Sequence, residues 1–190
     1  MDYVGNIERL AELLKKESEK VDASAAVVVL LRSADQDFQV LFVKRSEKFG
    51  DPWSGQTAFP GGKRDPKDRD LKETVFRETL EETSINLLEG CRFFGAMDAV
   101  RSTQKPEMQV LPFVVLLEPE QAIKLNDELT DYFWAPLKEL VKHKGTVKFG
   151  FGKRPAYIID EHVIWGLTYR ILQNLLSLLS FSGEEMPREG

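Results

Sequence analysis

The densest set of side chains able to do chemistry lies between Pro60 and Ile85, PGGKRDPKDRDLKETVFRETLEETSI. Glu78, Glu81 and Glu82 fall at i, i+3 and i+4 of a stretch with helical periodicity, so their carboxylates lie within reach of one another. Like charges so placed cost a helix about 0.2–0.5 kcal/mol per pair, a cost that a cation held between them would offset. Hard divalent cations such as Mg²⁺ take oxygen ligands of this kind. Arg77 stands four residues after Glu73 and four before Glu81, and its planar guanidinium could hold a carboxylate by a forked hydrogen bond. Just upstream, Gly61 and Gly62 can take backbone angles closed to other residues and present a bare carbonyl or amide to a ligand. Leu71, Val75, Thr79 and Leu80 mark the apolar face of the same helix. A solvated acidic helix would account for any one of these glutamates, but not for the glycine pair, Arg77 and three spaced carboxylates together.

Composition narrows the classes. A chain of 190 residues suits one domain, here 1–190, with an N-terminal helix within 1–22 and a polar tail over 182–190. The 26 basic against 31 acidic residues argue against a general nucleic-acid surface. Cys91 is the only cysteine, expected in a buried strand, and excludes an internal disulfide; with two histidines, His143 and His162, no Cys/His zinc site can be assembled. No basic segment followed by an apolar core opens the sequence, and the run Ala25–Leu31 is too short to span a bilayer, so a soluble, cytoplasmic protein with no membrane partner is expected.

The elements that must position the carboxylates follow from the hydrophobic pattern. Asn6 caps a first helix carrying Ile7, Leu10, Ala11 and Leu14. Residues 24–31 and 38–44 read as adjacent buried strands, and Arg45–Phe59 as a loop delivering the chain to the glycine pair. Residues 92–100 and 109–117 are two further strands, the second placed at an edge or bulge by Pro112. A short strand at 132–135 and a small helix begun by Pro136 precede a hairpin, 146–149 and 156–159, with its turn at 150–154. A last amphipathic helix, led by Asp160 or Glu161, carries Ile164, Leu167, Ile171, Leu175 and Leu178 and offers a packing or homodimer face. Strands flanked by helices on both sides predict an α/β chain with a mixed sheet between helical layers.

The stretch from Gly62 to Ile85 resembles the signature of the Nudix hydrolases. That pattern is Gly, five residues, Glu, seven residues, then Arg-Glu-apolar-any-Glu-Glu-any-Gly-apolar. Gly62, Arg77, Glu78, Glu81, Glu82 and Ile85 take their places in it, whereas Asp68 stands for the first Glu, one extra residue precedes Arg77, Thr79 replaces an aliphatic residue and Ser84 the final Gly. The resemblance implies an α/β/α sandwich and Mg²⁺- or Mn²⁺-dependent hydrolysis of a nucleoside diphosphate linked to a further group. It implies Glu78, Glu81, Glu82 and the Gly61 carbonyl as metal ligands, with Glu81, Glu82, Arg77 and Asp68 in the catalytic apparatus.

Beyond this signature, LFVKRS, SGQTAFPGGK, GGKRDPKDRD and IWGLTYRIL resemble the coenzyme A pyrophosphatase branch, so CoA or an acyl-CoA is the expected substrate. In the loop RSEKFGDPWSG, Asp51 falls near a position where that branch has an Arg. Lys44, Arg45, Trp53, Gly62 and Lys105 are candidate substrate contacts, and Glu128 a candidate accessory carboxylate beside Glu107 and Asp127. ADP-ribose or another nucleotide sugar or dinucleotide is the alternative substrate. A non-catalytic nucleotide-binding Nudix module, or a Nudix-like isomerase using Cys91, are the rivals of other classes.

Overall fold

The computed structural model describes residues 10–14, 22–34, 37–118 and 120–180. Its larger sheet contains β1 (Ala25–Ala34), β2 (Asp37–Arg45), β3 (Thr57–Ala58), β4 (Gly61–Lys63), β5 (Cys91–Ala96), β6 (Val100–Arg101), β7 (Gln109–Leu117) and β8 (Leu129–Pro136). β1 and β7 run parallel, with Val28 opposite Phe113, while the other pairings are antiparallel. The sheet is therefore mixed.

β1 looked apolar on both faces because both faces are buried. Val29 and Leu31 enter one core with Phe42, Leu172 and Leu175; Ala26, Val28 and Leu30 enter the other with Leu41, Val75 and Ile85. Helix α1 (Leu71–Thr83) covers the second face. On the first lie a helical turn at 10–13, α2 (Leu137–Lys142) and α3 (Gly166–Ser180). The result is the α/β/α sandwich expected from the sequence. Asn6, Ile7 and the tail 182–190 lie outside the described residues.

Several elements differ from expectation. Pro112 sits in an interior strand, because β7 lies between β1 and β5. Its carbonyl accepts from the Met97 amide at 2.9 Å, and its missing N–H faces the same side, where β5 has ended and β6 has not begun, so no ladder bond is lost. The strand expected over 92–100 is those two pieces, and Cys91 opens the first, half-buried rather than buried.

The segment after Asp160 does not enter a helix directly. Asp160 turns with φ 50°, and β11 (His162–Trp165) pairs back on β10 (Gly152–Ile159), itself paired with β9 (Lys144–Phe149). This second, three-stranded sheet takes Ile164 out of the helical stripe and shortens the hairpin turn to Gly150 and Phe151. Leu80 is exposed, so it does not belong to the apolar helix face assigned to it.

Candidate active site

Helix α1 begins at Asp70, whose side chain accepts from the Glu73 amide at 2.8 Å, and ends at Ser84 in left-handed geometry, φ 61° and ψ 11°. Its buried side is Thr74, Val75, Thr79, Glu82 and Thr83. Thr79 therefore does the packing of the aliphatic residue it replaces. Glu82 is 4 % exposed, an ionisable group on the side of the helix that faces the sheet.

The strand ahead of the helix explains why Glu82 can be there. Gly61 has φ 139°, and a Cβ on it would lie 2.3 Å from the Ala26 carbonyl oxygen, so only glycine lets β4 lie against β1. In that position the Gly61 amide donates to Glu82 Oε2 at 2.9 Å. A Cβ on Gly62 would stand 2.5 Å from Glu78 Cδ, so the second glycine leaves the space that the Glu78 carboxylate fills. Burial pushes the Glu82 carboxyl up to about 8; Glu78 and Glu128 add to the rise, while the Gly61 amide and Arg45 oppose it. Burial also raises Glu78, against the pull of Arg77.

Arg77 forks a carboxylate, but not the one its i±4 spacing suggested. Glu73 is engaged by Arg69, with Nε at 3.2 Å from Oε2. Arg77 instead places Nε 3.1 Å from Asp68 Oδ1 and Nη2 2.9 Å from Oδ2. Side chains on a helix tilt toward its N-terminus, which lets Arg77 reach back to a residue two positions before the cap. Asp68 is 6 % exposed and also accepts from the Asp65 amide at 2.9 Å; Arg77 above all holds its carboxyl well below the usual range. The remaining nitrogen, Nη1, donates to Glu78 at 2.7 Å and Glu81 at 3.3 Å. One guanidinium thus joins three carboxylates.

Arg45 approaches Glu82 from β2, close enough for its charge to lower that carboxyl. Its Nη2 lies 3.0 Å from Asp51 Oδ2, and Asp51 Oδ1 accepts from the Trp53 amide at 3.0 Å. Burial alone would raise the Asp51 carboxyl, but the Trp53 amide, Arg45 and Lys48 together hold it below the ordinary value. Asp51 is the residue whose part in the site sequence reasoning missed. Its Asp-x-x amide bond is a local turn that the Asp-Pro-Trp run could have signalled. Lys105, from the loop between β6 and β7, lies with Nζ 4.8 Å from the centre of the Trp53 ring. Glu128, exposed in the turn just before β8, lies close enough to the cluster to raise both Glu78 and Glu82. Glu107 and Asp127 are exposed. Lys44 is separated from the set, because strand alternation puts it with Val40 and Phe42 on the face away from α1.

Among the described residues no three carboxylates converge as a metal cage. Glu78 and Glu81 turn to Arg77, and Glu82 to the Gly61 amide. Glu78, Glu81 and Glu82 are nonetheless oxygen donors of the kind a hard cation takes, and they are the residues that could hold one.

Comparison with known proteins bears on this geometry. The NUDIX domain family matches residues 22–153. The human protein named mitochondrial coenzyme A diphosphatase NUDT8 is 33 % identical over 174 residues, 87 % of this chain and 73 % of its own. Among solved structures, the Nudix hydrolase RenU from M. smegmatis superposes with a TM-score of 0.58 at 13 % identity, covering 86 % of this chain and 89 % of that one. The NUDIX domain of Shewanella oneidensis NrtR, solved with ADP ribose, gives 0.55 at 19 % identity over 92 % and 98 %. Both structures share the fold. With the signature helix, the glycine pair and the sandwich all in place, the chain belongs to the Nudix family of pyrophosphohydrolases.

Proposed function

We propose that the protein hydrolyses the diphosphate of CoA or an acyl-CoA, giving 3′,5′-ADP and a 4′-phosphopantetheine product, with Mg²⁺ or Mn²⁺ held by Glu78, Glu81, Glu82 and the Gly61 carbonyl. The observation that carries the hydrolytic reading is the buried Glu82 carboxylate under Gly61, beside two glutamates that share Arg77. A divalent cation supplies charge neutralisation, Lewis acidity and a more acidic bound water. Arg77, anchored on Asp68, sets the directions of Glu78 and Glu81. Glu82 Oε2 is fixed by the Gly61 amide, which leaves Oε1 as its donor atom. Arg45, oriented by Asp51, is the cation this reading assigns to the diphosphate. One P–O bond forms to water and the bridging P–O bond breaks, with the leaving phosphate taking up a proton.

For the substrate, the support is the similarity to a protein named for CoA diphosphatase activity, together with Trp53 and Lys105 as an aromatic face and a cation suited to the adenine base and the ribose 3′-phosphate. Asp51, which could repel that phosphate, has its charge taken up by Arg45 and the Trp53 amide. The binding-module rival is disfavoured by the retained glutamates. The isomerase rival is disfavoured by Cys91, which sits at the far end of β5 with its thiol pushed up by burial and Glu118. An ADP-ribose pyrophosphatase is the second reading, favoured by the acidic Asp51 where the CoA branch carries an Arg. The cytoplasmic location expected from sequence stands against "mitochondrial" in the human relative's name, and cell fractionation decides between them. The reading is tested by incubating the protein with CoA and Mg²⁺ and weighing the products. Formation of 3′,5′-ADP and 4′-phosphopantetheine, abolished by chelation, supports it; intact CoA beside cleaved ADP-ribose selects the second reading.

A further inference from the structure

The three-stranded sheet carries a cluster that neither core absorbs. Phe149 and Phe151 stack with ring centres 5.1 Å apart, and Trp165 lies 4.4 Å from Phe149 and 5.9 Å from Phe151. None of the three joins the two hydrophobic clusters of the domain, and Phe151, at the turn, is 61 % exposed. Cations surround this tip. Lys148 and Lys153 are directly paired across β9 and β10, and the Arg154 guanidinium lies 5.4 Å from the Phe151 ring centre.

Like charges directly opposite in a hairpin are unfavourable unless something anionic approaches them. The charge is segregated along the chain as well. Residues 140–159 hold five Lys or Arg and no Asp or Glu, which leaves 21 basic against 31 acidic residues elsewhere. A basic hairpin on an acidic protein is oriented toward an anionic partner by the field of the whole molecule.

We propose that the β9–β10 hairpin docks the protein on an anionic phospholipid surface. Phe149 and Phe151 flank Gly150, so the tip is a wedge of apolar rings with no polar side chain. Lys148, Lys153 and Arg154 stand one step behind it, at the level where phosphate headgroups would lie. Aromatic rings at the interface with lysines and arginines reaching headgroups are the pattern of surface-binding elements. The rings pack on one another rather than standing apart with free faces, which favours lipid over stacked bases. The expectation of no membrane partner rested on the lack of a spanning segment, and among the described residues no helix is long and apolar enough to cross a membrane. Surface docking needs none.

The test is flotation of the full chain with phosphatidylcholine vesicles, with and without phosphatidylserine as the anionic lipid. Wild type is expected to float with the anionic vesicles only and to be released by raised salt. Phe151→Ser and the double change Lys148→Ala with Lys153→Ala should each weaken binding, the latter by about fivefold per lysine. Their unchanged turnover in vesicle-free solution would show that the fold is intact. Absence of binding to anionic vesicles, equal binding to neutral ones, or binding untouched by both variants overturns the proposal. So does a concentration-dependent dimer, or binding to an RNA oligonucleotide, that is lost in the same variants while vesicle binding is absent.

Discussion

A Cβ built on Gly62 stands 2.5 Å from Cδ of Glu78, so this glycine and this carboxylate occupy adjoining halves of one space. Gly62→Ala should displace the carboxylate while leaving the fold, because the atom it meets ends a flexible side chain. A misplacement of about 1 Å at a catalytic group costs roughly 100-fold in rate, and a loss of that order in kcat/KM with unchanged circular dichroism is expected. Gly61→Ala differs in kind. It meets backbone at 2.3 Å and demands φ 139° of an alanine, so loss of soluble, folded protein is the expected result. Equal effects of the two substitutions on stability would refute this distinction.

Glu82→Gln and Glu78→Gln should each lower turnover by at least about 100-fold, since a neutral amide is a poor ligand for a hard cation and even outer partners of a metal site cost about 10–100-fold when lost. Thermal melts should show both variants folded. Near-normal rates in folded protein would remove these residues from the metal site.

The Arg77–Asp68 fork gives a pH dependence of definite sign. Asp68 is held below its ordinary value of 3.8, so the folded state gains from its ionised form above that pH and loses the gain as pH falls through the folded value. Asp68→Asn should cost about 2 kcal/mol at pH 7, since it leaves Arg77 without its buried partner. The gap between wild type and variant in urea melts should narrow below pH 4. A gap that is constant from pH 7 to pH 3 would show that the ion pair does not contribute.

Ser84 pays for the left-handed end of α1, a conformation costing a non-glycine residue about 1–2 kcal/mol, partly returned by its hydroxyl donating to the Lys124 carbonyl at 3.1 Å. Ser84→Gly should therefore raise stability by about 0.5–1 kcal/mol, read as an increase of about 1–4 °C in Tm. An unchanged or lower Tm would mean that the hydroxyl bond outweighs the backbone strain.

What could be read from the sequence was local. The glycine pair and the helical spacing of Glu78, Glu81 and Glu82 are fixed by residues close to each other in the chain. The partner of Arg77 was not legible, because Asp68 reaches it only when the loop before the helix folds back on it. Glu82 read as one of three equivalent carboxylates, since periodicity cannot say which side of a polar helix meets the sheet. Pro112 looked like an edge residue, and its place in an interior strand depends on a gap between β5 and β6 that is a tertiary fact. β11 was missed for the opposite reason: HVIW continues smoothly into a helical stripe, and only pairing with β10 makes it a strand.

The substrate assignment is the central claim, and the ratio of kcat/KM for CoA over dephospho-CoA and over ADP-ribose, measured with saturating Mg²⁺, tests it most directly. If Lys105, beside Trp53, meets the 3′-phosphate as proposed, and with Asp51 paired to Arg45, both ratios should exceed about 10, a discrimination worth about 1.4 kcal/mol. Ratios below one would contradict the account, and would make the protein a Nudix hydrolase that does not read the 3′-phosphate.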